Sequence, residues 1–333
     1  MNEFDLIRTY FARQGLTRND VVVSIGDDAA VIDIPAGMQQ VVTTDALIAG
    51  THFLADAEPA SVGHKALAVN FSDLAAMGAT PTWFTLNLTL PAVDDVWLKA
   101  FCEGVFTLAN EYQAQLVGGD TVRGPLAVCI QAYGLVPAGK ALLRTGAKSS
   151  DRIYVTGVLG DAALGLLQQR GRLSMSQKER ACALERLNYP APRVAQGIVL
   201  RDLASSCIDI SDGLLADLEH ILQASGVGAR VFIDQVPLSA VYRAHFDEVG
   251  GWELAITNGD DYELCFTASS DKQVELESLA AFDKCGLTCI GDIEPEPGLR
   301  IVDSTGKPYE PKRYGYDHFA NPSSEPPPTR GSG

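Results

Sequence analysis

Apolar positions along the chain recur in two rhythms, one near three to four residues and one of two, and the switches between them mark out elements. Phe4, Ile7 and Phe11 fall on one helical face, with Glu3 and Asp5 near its start, and predict an opening amphipathic helix. Short apolar runs follow at 21–25, 29–34 and 40–44, the last two separated by the turn sequence Ile34-Pro35-Ala36-Gly37. Residues 60–77 return to helical spacing: Ser61 can cap, Val62, Ala66 and Val69 share a face, and Gly78 stops the run. Residues 83–90 alternate and are rich in β-formers. A second helix is predicted over 94–113, entered at Asp94 and Asp95, with Trp97, Phe101, Val105, Leu108 and Tyr112 on one face. Strands at 114–118 and 126–136 complete a first unit.

The second half opens with a strand, a glycine turn and a helix in RIYVTGVLGDAALGLLQQ. Helices are predicted at 176–187, 192–204 and 212–224, and strands at 207–210, 229–233, 253–257, 262–267, 287–290 and 299–302. Alternating strands and helices indicate an α/β or α+β architecture. The reading divides the chain into an N-terminal domain over 1–146, a C-terminal α/β domain over 147–319, and a tail, 320–333, whose Pro, Ser and Gly content predicts disorder.

A length of 333 residues suits two domains, and 46% hydrophobic content supplies a core. The formal charge of −16 argues against nucleic acid or an anionic membrane as partner. It also means that a polyphosphate ligand would need cations between it and the protein. Seven cysteines at irregular spacing, with no C-x-x-C, read as reduced thiols of a cytoplasmic protein. The first residues do not read as a signal peptide, and no apolar run is long enough to span a bilayer.

The chemistry concentrates in aspartates beside Gly, Ser or Thr: VSIGDDAAV, VVTTDAL, NFSDLAAMGA, QLVGGDTVRG and IDISDGLL. An apolar run ending in Gly and Asp delivers a carboxylate to the exposed end of a buried strand. Several such ends suggest one pocket, which repels itself unless cations fill it: two unit charges at 4 Å cost about 4 kcal/mol at an effective dielectric near 20. Asp27 and Asp28 follow Gly26, as ligands or as a plain turn. Thr43, Thr44 and Asp45 offer hard oxygen ligands, or a helix cap. Asp73, with Asn70 and Ser72, makes a polar face in an apolar helix, turned to a wet pocket or to solvent. Gly118-Gly119-Asp120-Thr121 reads as a strand-end ligand with a glycine surface for phosphate, or as a hairpin turn. Asp212 can cap the helix after it, as can Ser211, whereas Asp209 on the preceding strand has no such ordinary role. Asp260-Asp261-Tyr262-Glu263 is a second acidic turn, either ligand cluster or charged hairpin. Arg144 can clamp phosphate or lie at the surface, and His52 reads as a structural loop residue.

The common phosphate cradles are missing from the sequence. TGAKSS (145–150) falls short of a P-loop, and TGVLGDAALG (156–165) has G-x-x-G spacing and reads as a strand-to-helix turn capped by Asp161. An oxygen-only ligand set with five histidines in the chain points to Mg²⁺ rather than Zn²⁺.

Together GDDAA, TTDAL with GTHF, NFSDLAAMGA, GGDT, LLRTGAK, DISDGL, GDDYELCFT and GYDHF resemble the thiamine-monophosphate kinase family, in that family's order across residues 3–319. The resemblance implies an N-terminal mixed-sheet domain that pairs into a barrel across a homodimer, a C-terminal α/β domain, and ATP with several Mg²⁺ ions in the groove between them. It implies Asp28, Thr43, Thr44, Asp45, Asp73, Asp120, Asp209 and Asp212 as metal ligands, and Gly119, Asp120, Arg144 and Ser211 as ATP contacts. His52, Asp260 and an aromatic at Tyr314 or Tyr316 would face thiamine monophosphate. Two departures stand out: Asp260 replaces the family's usual Glu, and Arg313-Tyr314 replaces its Trp. The implied reaction moves the γ-phosphoryl of ATP onto a phosphate that is already ionised, so no general base is required. The rival readings are another ATP-dependent enzyme of the same superfamily and an acidic metal-buffering protein.

Overall fold

The structure, a computed structural model, describes residues 3–12, 16–279, 282 and 284–315. The predicted disorder of 320–333 and the position of Tyr316 lie outside the described residues.

The N-terminal half holds a four-stranded sheet. Its strands are β3 (Met38–Ile48), β4 (Thr80–Leu90), β5 (Gln115–Arg123) and β6 (Ala127–Pro137), in the order β3-β6-β4-β5. Before them a two-stranded ribbon pairs β1 (Val21–Val23) with β2 (Val31–Ile32). The opening helix is short: α1 (Glu3–Leu6) widens into a π-helical turn over Ile7–Phe11.

One face of the four-stranded sheet is covered by α2 (Pro59–Ala76) and α3 (Asp95–Glu111). Pro59 starts α2 with its φ preset, and Asp94 caps α3 by accepting from the Val96 and Trp97 amides. The two helices touch backbone to backbone because glycines face each other. A Cβ on Gly104 would sit 1.9 Å from the Ala60 carbonyl oxygen, and one on Gly63 2.1 Å from that of Phe101. The opposite face is covered at one end, where Val21 and Ile32 of the ribbon pack with Trp83, Val117 and Leu135, and is uncovered around Val42, Ile48 and Val122. Along β3, Val41, Thr43, Asp45 and Leu47 turn inward while Val42, Thr44, Ala46 and Ile48 turn outward.

The C-terminal half is built on six strands. They are β7 (Arg152–Thr156), β8 (Ser206–Asp209), β9 (Gly228–Phe232), β10 (Leu264–Ala268), β11 (Leu287–Glu294) and β12 (Gly298–Val302), in the order β12-β9-β11-β7-β10-β8. Only the β12–β9 pair among them is parallel. The helices are α4 (Asp161–Gln169), α5 (Gln177–Asn188), α6 (Val194–Leu200), α7 (Leu214–Ser225), α8 (Ala240–Ala244), α9 (Glu253–Thr257) and α10 (Gln273–Glu277).

The two halves meet along α2, most of whose residues are buried. Gly197 of α6 lies so close that a Cβ would be 2.0 Å from the Ala75 carbonyl oxygen. Arg201 Nε donates to the Gly78 carbonyl at 2.5 Å, Tyr112 Oη to that of Pro192 at 3.0 Å, and His64 Nε2 meets that of Pro190 at 2.9 Å. An apolar cluster including Ala75, Leu142, Val194, Leu200 and Phe266 fills the seam.

Three expectations are corrected. Residues 253–257 form α9, not a strand: a five-residue apolar run has no readable period, and the Tyr242 hydroxyl accepts from the Ala255 amide at 3.1 Å to hold it as a helical turn. The turn at 157–161 is capped by Gly160 at φ 89°, not by Asp161, whose carboxylate instead accepts from Ser239 Oγ at 2.6 Å. Asp45 and Asp120 lie within their strands, not at the ends, because β3 and β5 run past them to Ile48 and Arg123.

Candidate active site

Four elements deliver carboxylates to the seam. β3 turns Thr43 and Asp45 inward, α2 contributes Asp73, and β8 ends on Asp209, with Asp212 in the loop beyond it. Thr43 Oγ1 donates to Asp73 Oδ2, and Ser72 Oγ donates to Asp209 Oδ2 at 2.8 Å across the seam. Burial, then the nearby charges of Asp73 and Asp212, push the Asp45 carboxyl up to about 6. Burial also raises Asp73, against the Thr43 hydrogen bond and the positive charge of Arg144. Asp209, 3% exposed, is pushed well above the carboxylate range by burial and by Asp73. A set of buried, mutually repelling carboxyls fits a site that a cation completes.

The helix-cap reading of Asp212 is replaced by a different arrangement. Asp217, inside α7, turns back and accepts the amides of Ser211, Asp212 and Gly213 at 3.0, 3.0 and 3.1 Å. Burial nevertheless raises Asp217 to about 7. The capping is done from within the helix, so neither Ser211 nor Asp212 spends its side chain on it.

The acidic loop 258–263 forms the adjoining wall. Gly259 packs on the Ser211 carbonyl, which a Cβ would meet at 1.8 Å, and the Asp260 and Tyr262 amides donate to Ser211 and Ile210 at 2.9 Å each. Asp260 and Tyr262 both hold left-handed backbone, φ 69° and 49°, a conformation that costs a non-glycine residue about 1 kcal/mol or more. Asp260 Oδ2 pairs with Lys65 Nζ at 3.0 Å and its Oδ1 accepts from the Tyr262 hydroxyl at 3.0 Å. The Tyr262 hydroxyl is raised by burial, then by Asp260, Asp45 and Asp209, which puts it beside the carboxylate cluster. The charged-hairpin alternative fails at the next positions. Asp261 is buried and accepts from the Gly160 amide, and Glu263, fully buried, is held by Arg186, Arg193 and the Thr156 hydroxyl.

The remaining candidates lie apart within one chain. Asp27 and Asp28 are exposed between β1 and β2, the Asp28 amide donating to Asp27 Oδ1 at 2.8 Å. Thr44 projects from the outward face of β3 and donates to the Ile130 carbonyl at 3.2 Å. Asp120, on β5, pairs with Asn87 of β4, at the opposite edge of the sheet from β3. Three strand spacings separate those edges, about 14 Å. Gly119 has a packing reason of its own: at φ 148° its Cβ would fall 1.9 Å from the Leu86 carbonyl oxygen. His52, in the loop after β3, accepts the Ile48 amide on Nδ1 at 2.9 Å. Arg144 is exposed beside Asp73, and Tyr314 is exposed near the end of the described chain. Sequence reasoning missed Lys65 and Asp217, and named Ser72 and Tyr262 only as members of a polar helix face and an acidic turn. A lysine inside the apolar run of α2 is the one visible signal among them.

Among the described residues, no three acidic, histidine or cysteine side chains already converge to hold an ion alone. The donor chemistry nevertheless fits Mg²⁺, which binds through one or two carboxylates and takes its other oxygens from water and phosphate.

Known proteins resemble the chain along nearly its whole length. The family models described as AIR synthase related protein, N-terminal domain, and AIR synthase related protein, C-terminal domain, match residues 26–136 and 148–304. The thiamine-monophosphate kinase of Salmonella typhimurium is 48% identical over 324 residues, covering 96% of this chain and 99% of the relative. The crystal structure of thiamine-monophosphate kinase from Stenotrophomonas maltophilia K279a superposes with a TM-score of 0.81 at 43% identity, covering 88% of this chain and 93% of that one. AaThiL complexed with AMPPCP and TMP gives 0.76 at 29% identity, covering 88% and 92%. With both domain models in order, a full-length relative at 48% identity and a solved relative that superposes at a TM-score of 0.81, this chain belongs to the thiamine-monophosphate kinase family of the AIR synthase related proteins.

Proposed function

We infer that this chain transfers the γ-phosphoryl group of ATP onto the phosphate of thiamine monophosphate, giving thiamine diphosphate and ADP. The observation that carries the reading is that Asp45, Asp73 and Asp209, from three elements of the two halves, lie close enough at the seam for Asp73 to raise the carboxyls of the other two. Its support outside the chain is the relative that held AMPPCP and TMP together.

The acceptor needs little activation. A phosphate monoester loses its last proton near pH 6, so at neutral pH its oxygen is already a nucleophile and the protein has no proton to remove. The difficulty is bringing two polyanions into line. Bound Mg²⁺ would supply charge neutralisation and polarisation of the phosphoryl oxygens, and Thr43, Asp45, Asp73, Asp209 and Asp212 would hold it at the seam; Asp28, Thr44 and Asp120, proposed as ligands with them, stand apart in a single chain. The chain's own part is positional. Thr43 and Ser72 fix the carboxylates of Asp73 and Asp209 by hydrogen bonds. Asp217 closes the amides of 211–213, which directs Ser211 to act through its hydroxyl. Arg144 brings positive charge beside Asp73, where a nucleotide phosphate would lie. His52, Asp260 and Tyr316 belong to the acceptor side of this reading.

The protein is proposed to work as a homodimer in the cytoplasm. The part of the four-stranded sheet that the ribbon leaves uncovered supports the first: Val42, Ile48 and Val122 are 51%, 45% and 49% exposed there. Thr44 shares that face, so a second sheet closing over it would draw Thr44 and Asp120 into a covered space. Seven unpaired thiols support the second.

The test is ADP release coupled to detection of product, with thiamine monophosphate set against other phosphorylated acceptors, in Mg²⁺ and in chelator. One thiamine diphosphate per ADP, in Mg²⁺ only, is expected. ADP release that prefers a phosphorylated amide would move the chain to another activity of its superfamily.

A further inference from the structure

Lys65 is 4% exposed, a buried ammonium in the largely apolar helix α2. An ammonium taken out of water costs several kcal/mol unless its partner is well placed, so packing alone does not account for it. Its Nζ reaches out of the N-terminal half to Asp260 Oδ2 of the C-terminal half, at 3.0 Å. The other oxygen of Asp260 is taken by the Tyr262 hydroxyl, also at 3.0 Å. Both interior donors thus hold one carboxylate, while the Asp260 side chain stays 35% exposed.

The surrounding charges are otherwise committed. Arg186 and Arg193 hold Glu263, and Arg144 lies against Asp73. Asp260 sits on a left-handed backbone at φ 69°, and both of its carboxylate oxygens have a partner at 3.0 Å. Its direction is therefore set by what holds its oxygens.

We propose that Lys65, assisted by Tyr262, is a positioning residue for acceptor recognition: it aims the Asp260 carboxylate across the seam at the cationic, N–H-bearing rings of the acceptor, and touches neither phosphate. This rests on the thiamine-monophosphate reading above and names what sets the acceptor side of that site. The chemistry is suited to the ligand. A thiazolium ring carries a permanent positive charge, and an aminopyrimidine offers N–H donors. A carboxylate whose inner lone pairs are occupied presents the outer ones to both.

The test is steady-state kinetics of the full-length chain with each substrate varied, for Lys65→Met, Lys65→Arg, Tyr262→Phe and Asp260→Asn. Lys65→Met should raise KM for thiamine monophosphate about tenfold, equal to about 1.4 kcal/mol, with kcat and KM for ATP within about twofold of wild type. Lys65→Arg should restore most of the loss, and Tyr262→Phe, which removes no charge and keeps the fold testable if Lys65→Met does not, should raise the same KM about threefold. In an Asp260→Asn background, Lys65→Met should add nothing further. Additive losses, an unchanged KM in Lys65→Met, or equal damage to ATP binding and kcat would each overturn the proposal. A wild-type chain inert toward thiamine monophosphate would instead overturn the functional reading, and this inference with it.

Discussion

Asp45 allows structure and chemistry to be set against each other in one substitution. Burial and the charges of Asp73 and Asp212 lift its carboxyl from the usual 3.8 to about 6. A folded-state value above the unfolded one means that protonation favours the fold. The associated stability is fully present below pH 3.8 and is lost as pH rises through about 6. At pH 7.5 the metal-free protein therefore carries a penalty of about 3 kcal/mol from this carboxylate, trimmed to about 2 by the solvent that reaches it. Asp45→Asn keeps the shape and removes the charge. In chelator at pH 7.5 the variant should melt higher, by roughly 5 °C. The advantage should shrink through the window from about 6 to 3.8 and vanish below it. Its turnover with ATP, Mg²⁺ and thiamine monophosphate should collapse, since a hard carboxylate ligand has gone. Differential scanning calorimetry across pH, with a kinase assay beside it, reads both. A variant that melts lower at pH 7.5, or that gains equally at every pH, would refute the account of a self-repelling cluster.

Three further outcomes follow from the packing and the charges. Glu263→Gln strips the shared partner from Arg186 and Arg193 in a fully buried position, and should cost about 3–5 kcal/mol, read as a large fall in melting temperature; an unchanged melt would contradict it. Gly104→Ala forces a methyl to within 1.9 Å of the Ala60 carbonyl oxygen and should loosen the α2–α3 pair by about 1–3 kcal/mol in thermal melts. Val42→Asp with Ile48→Asp should leave the fold intact and give a monomer by analytical ultracentrifugation, since both side chains are exposed in the single chain. A wild type that sediments as a monomer at the same concentration would remove the dimer from the reading.

Some of this was legible in the sequence and some was not, for reasons that can be named. The α2 helix was readable because Val62, Ala66 and Val69 repeat on one face and Gly78 stops it, and Asp73 stood out because a carboxylate is costly inside so apolar a run. Asp209 was legible in the same way, at the end of a short buried strand. The extent of β3 and β5 was not: pairing with β6 and β4 carries both strands on past polar residues that read locally as ends. The turn at 253–257 was misread because its helical form depends on Tyr242, which the local pattern does not contain. Lys65 and Asp260 are far apart in the chain, and their pairing exists only after two domains dock. The barrel and the dimer came from resemblance, because periodicity describes one chain and not how two copies meet.

The helix α2 carries Ser72 and Asp73 and is also the element on which both halves close. Its amides can exchange with solvent only when that contact opens, so it should be among the slowest segments in deuterium uptake. A cut, a destabilising change or heat that separates the halves would scatter the carboxylates while each sheet still kept its own strands paired. Inactivation should thus precede any change in circular dichroism, and the catalytic lifetime of the protein is the lifetime of one joint.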